Sequence, residues 1–114
     1  MSAMANRHRG EVALALGGET LTLRLTLGAL AALEDAFAVS DLSALGSRLE
    51  NGRLSARDLV AILGAAARGG GSLLDDDSIA GLVPAGEVPR VAEALGLLFA
   101  RTFGEAPNPP QPQR

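Results

Sequence analysis

Residues 54–67 read Leu-Ser-Ala-Arg-Asp-Leu-Val-Ala-Ile-Leu-Gly-Ala-Ala-Ala, and the rest of the chain has to be built around them. Ser55 suits an N-cap, its hydroxyl accepting from the free amides of a first helical turn. Asp58 stands where a capping box places its acidic partner, and its charge favours a helix N-terminus. Leu54 and Leu59 hold the two staple positions. Leu59, Ile62, Leu63 and Ala66 recur at helical spacing, and Val60 and Ala67 widen that apolar face. Arg68 suits the negative end of the helix, and Gly69-Gly70-Gly71 stops it. A helix this apolar needs cover, which must come from the segments on either side.

Upstream, Val12, Leu14 and Leu16 alternate with small residues. Leu21, Leu23 and Leu25 alternate with Thr and Arg. Gly17-Gly18 between them suits a two-residue hairpin turn, which pairs Leu14 with Leu21 and Val12 with Leu23. Both strands then carry their large side chains on one face, and that face requires helices beneath it. The outer face and both edges of the hairpin are expected to be open, and an open edge can accept a strand from another chain.

Thr26 is placed to cap a first helix with Leu30, Leu33 and Phe37 inward. Ser40 or Asp41 starts a second, with Leu42, Leu45 and Leu49 inward, and Gly52 ends it. Downstream, the glycine run reads as a flexible break. Asp75 caps a short helix that Pro84 limits, and Pro89 opens a last one. Val91, Leu95, Leu98, Phe99 and Phe103 face inward there, and Gly104 closes it. The expected architecture is therefore α+β: an N-terminal β-hairpin (11–26) packed on four to five helices (about 27–38, 41–50, 55–68, 75–83 and 88–103) in a single domain, 10–104. A flexible leader (1–9) precedes it, and a disordered Pro-rich tail (105–114) follows.

Composition limits the function classes. A chain of 114 residues that is 47% hydrophobic can bury a real core, but its only aromatics are Phe37, Phe99 and Phe103. Ala and Leu favour close packing over a shaped pocket. A formal charge of -3 with no basic stripe points away from nucleic acid. There is no Cys, so disulfides and thiolate metal sites are excluded. No apolar run reaches the ~18–20 residues that span a bilayer, and no apolar segment follows the polar opening as a signal peptide requires.

No constellation for catalysis emerges. Asp75-Asp76-Asp77 lacks the alternating spacing and distant Glu of a calcium loop and reads as helix capping. His8 is the sole His, without Cys or a second His to complete a zinc site. The glycine run follows a helix, where a phosphate loop follows a strand, and no Lys comes after it. No Ser lies in a nucleophile elbow. The expectation is a non-enzymatic protein with no cofactor, metal or small-molecule substrate.

The order of elements carries a resemblance. A basic leader, Met4-Ala5-Asn6-Arg7-His8-Arg9-Gly10-Glu11, is followed by the hairpin around Gly17-Gly18. Then come Leu25-Thr26-Leu27-Gly28-Ala29-Leu30-Ala31-Ala32-Leu33-Glu34, Gly52-Arg53-Leu54-Ser55-Ala56-Arg57-Asp58-Leu59 and Leu63-Gly64-Ala65-Ala66-Ala67-Arg68-Gly69. Across residues 4–104 this resembles the small tail proteins of gene transfer agents and related siphophages, the tail assembly chaperones. The resemblance implies a chaperone in the cytoplasm of the producing bacterium that binds the tape measure protein and helps recruit tail tube subunits, with self-association as a further option. The alternative it implies is a structural component retained in the tail of the particle. The expected partner surface is the hairpin (Val12, Leu14, Leu16, Leu21, Leu23, Leu25) and the last helix around Leu97 and Leu98.

Overall fold

The computed structural model describes residues 10–39 and 41–104. The leader and tail expected at 1–9 and 105–114, with His8 and Ser40, lie outside the described residues.

The hairpin pairs β1 (Glu11–Leu16) antiparallel with β2 (Glu19–Arg24), Val12 opposite Leu23 and Leu14 opposite Leu21. Gly17 and Gly18 have φ of 53° and 82°. A turn of this hand matches the twist of the strands and needs positive φ at both positions. Five helices follow: α1 (Leu27–Phe37), α2 (Ser43–Glu50), α3 (Ala56–Gly69), α4 (Asp76–Gly81) and α5 (Val88–Phe103). The fold is α+β.

The caps explain where the helices begin. Thr26 Oγ1 accepts from the Ala29 amide at 3.1 Å. Ser55 and Asp58 form the reciprocal capping box, at 3.1 and 3.2 Å. Asp75 Oδ1 accepts from the Ser78 amide at 2.9 Å. The second helix begins at Ser43, because the Asp41 carboxylate captures the Ser43 amide and hydroxyl and holds the chain in a turn. A short 3-10 turn, Ala85–Glu87, separates Pro84 from α5.

α3 and α5 form the centre. β2 and α1 pack on α3, β1 and α2 pack on α5, and α4 packs on α3. Leu23, Leu45, Ile62, Leu63, Ile79, Leu95 and Leu98 are fully buried between them. Ala66 and Ala67 are buried too, and their lack of bulk lets neighbouring elements close on α3.

The glycine run is a packing contact and not the expected loose break. An ideal Cβ on Gly69 would lie 2.2 Å from the Arg24 carbonyl oxygen, and one on Gly70 would lie 1.9 Å from that of Thr22. The end of α3 abuts the outer edge of β2 so closely that no side chain fits. Phe103, expected inward, remains 45% exposed beside Phe99, with ring centroids 5.7 Å apart.

Candidate interaction surface

The hairpin residues expected to meet a partner are placed inside the fold. Val12, Leu14, Leu16, Leu21, Leu23 and Leu25 are all buried in the core. What the hairpin shows to solvent is the opposite face, Ala13, Ala15, Thr20 and Thr22, all exposed.

The edges expected to be open are occupied. The register directs the backbone groups of Glu11, Ala13 and Ala15 away from β2. Two of those carbonyls accept from arginines of α5: Glu11 from Arg101 Nη1 at 2.9 Å, and Ala15 from Arg90 Nη2. Arg90 and Arg101 are eleven residues apart, close to three helical turns, so both reach the strand from one side of α5. The outward carbonyls of β2, on Thr22 and Arg24, meet Gly70 and Gly69. A cross-strand pair, Arg24 to Glu11 at 2.9 Å, closes the open end of the ladder. Sequence reasoning placed both α5 arginines only near helix ends. Their spacing was the available signal.

On α5, Leu97 and Leu98 part company. Leu98 is fully buried, so it belongs to the core and not to a surface patch. Leu97 is 43% exposed and lines a shallow groove between α2 and α5 with Leu49, Glu50 and Glu93. The groove's neighbour, lined by Gly46, Ser47 and Gly96, runs on to Phe103. A separate recess of about 280 Å³ lies between α3, the end of α4 and the start of α5 and is lined wholly by Ala, Val and Leu.

The charged groups serve the scaffold. The Ser78 backbone amide, then the Ser78 hydroxyl, hold the Asp75 carboxyl below its usual range, and Arg68 adds to this. Arg68 also pairs with Asp76 at 2.9 Å and donates to the Leu74 carbonyl at 3.1 Å. Among the described residues no group of three His, Cys, Asp or Glu gathers as a metal site would require. Arg48 and Asp58 approach only to 4.0 Å, an exposed pair worth little. No described helix is long and apolar enough to cross a membrane.

With this geometry in place, the comparisons bear on identity. The protein family described as "Phage tail tube protein, GTA-gp10" matches residues 9–105. No curated protein and no solved structure matches the chain. The matched span includes every strand and helix described above. That description names a tail tube protein, a structural part, and it overturns the expected assembly chaperone.

Proposed function

The chain belongs to the family of phage tail tube proteins of the gene transfer agent type, and from that premise we propose that it is a structural, non-enzymatic component of a phage-like tail, retained in the finished particle. The single observation behind this reading is the extent of the match, 9–105, which leaves no folded element outside it. The arrangement of the surface is compatible. Partly exposed Leu97 and Phe103 flank shallow grooves that suit contact with another polypeptide. On this reading the partners are other tail proteins, the tube and tape measure proteins among them, together with further copies of the chain.

The test is mass spectrometry of purified, complete particles from producing cells. The expected result is this chain in a fixed ratio to the other tail proteins, as a ring component requires. Its absence from complete particles, with abundance in the cell lysate, would overturn the proposal.

A further inference from the structure

Two features of the surface remain unused by the fold. Leu73, between the end of α3 and the start of α4, is 99% exposed, the most exposed large apolar side chain among the described residues. The recess between α3 and α5 is lined by Ala56, Leu59, Val60, Ala80, Val83 and Val88, among others, with no polar side chain in its wall. Its volume of about 280 Å³ exceeds the roughly 150 Å³ that accommodates a benzene-sized guest, so it has room for a leucine side chain. Leu73 precedes the first turn of α4, and Ala80 and Val83 stand near its end.

Charge distinguishes the two features in opposite senses. Asp75, Asp76 and Asp77 line the surface around Leu73. Arg57 follows Ala56 on the first turn of α3, beside the recess, and Arg53 lies just ahead of it. Asp77, Arg53 and Arg57 are exposed, and among the described residues none of them takes part in an ion pair.

We propose that two copies of this chain pair by placing Leu73 of each in the α3–α5 recess of the other, with the Asp75 to Asp77 rim of one against Arg53 and Arg57 of its partner. The occupant of the recess is thus a second copy. Knob and recess lie at the two ends of α4, so one rotation can satisfy both contacts at once, and a reciprocal exchange closes as a two-fold dimer. The acidic and basic rims supply register and partner choice more than affinity. The pairing does not depend on retention in a particle, and either can fail alone.

The test is sedimentation equilibrium of the full chain over a wide concentration range. The expected mass rises from 11.6 kDa towards twice that value. Leu73→Ser, at a position that contributes nothing to the core, raises the dimer dissociation constant by about tenfold or more, since it removes a leucine burial from each side. Arg57→Glu also weakens pairing, and adding Asp77→Arg to the same chain restores it. Leu27→Ser, at a position 83% exposed on α1, leaves pairing unchanged. A monomer at every concentration, growth beyond a dimer, or wild-type pairing by Leu73→Ser would overturn the proposal.

Discussion

At the scale of single residues, two backbone positions carry opposite lessons. Gly70 has φ of -89°, which any residue adopts, so its need for glycine is steric alone. A methyl group there would stand 1.9 Å from the Thr22 carbonyl oxygen, a backbone atom that moves only if β2 moves. Gly70→Ala is therefore expected to destabilise by about 1–3 kcal/mol, read as a lower urea midpoint at unchanged slope. Gly81, at the end of α4, has nothing within 4 Å of an added Cβ. Gly81→Ala should be neutral or stabilising by up to ~1 kcal/mol, and equal losses at both sites would refute the packing argument. Ala38 is the converse. It closes α1 in the left-handed region at φ 53°, its amide donating to the Glu34 carbonyl. A Cβ costs about 1–2 kcal/mol there, and glycine returns part of that gain through its freer unfolded chain. Ala38→Gly is expected to stabilise by roughly 0.5–1 kcal/mol, measured by the same titration.

At the scale of elements, the hairpin is held through its edges as well as its face. Arg101 and Arg90 satisfy carbonyls that would otherwise offer β1 to another strand. Replacing both by Ala should cost about 1–3 kcal/mol in total, taking ~0.5–1.5 for each hydrogen bond. Hydrogen exchange locates the loss: the Val12 and Leu14 amides should lose protection more than the Ile62 and Leu63 amides of α3. Uniform loss would mean that the arginines only support α5. These contacts also mark what the sequence made legible. Strand alternation, the Gly17-Gly18 turn, the Ser55–Asp58 box and the Asp75 cap are local signals between neighbours in sequence, and each could be read directly. The abutment of Gly69-Gly70 on β2 joins residues far apart in the chain, so the glycines read as a linker. The arginine caps depend likewise on α5 crossing beside β1. Leu98 and Phe103 were misjudged for a related reason. On a helix with a wide apolar face, periodicity gives the stripe but not where its margin falls, and that depends on how α2 and α5 cross. The interaction surface was less legible than the fold, because exposed grooves and a lone Leu73 leave no periodic trace.

At the scale of the whole molecule, hairpin and helices share one core. Val12, Leu14, Leu21 and Leu23 belong to the same continuous cluster as Leu33, Leu45, Ile62, Ile79, Leu95 and Leu98. A two-stranded sheet has little stability of its own in water, and α3 exposes Ile62 and Leu63 if the hairpin leaves. Neither half therefore has a stable state without the other, and the chain should unfold in one step, as domains under about 150 residues usually do. The protein has neither Trp nor Tyr, which makes a clean optical test available. Thr22 is exposed on the outer face of β2, so Thr22→Trp adds a fluorophore to the hairpin without disturbing the core. Its fluorescence follows the hairpin, while far-ultraviolet circular dichroism is dominated by the helices. The two urea transitions should coincide in midpoint and slope. A fluorescence transition at lower urea than the helical one would show that the hairpin detaches first, and the shared core would then not be what binds strands and helices into one folding unit.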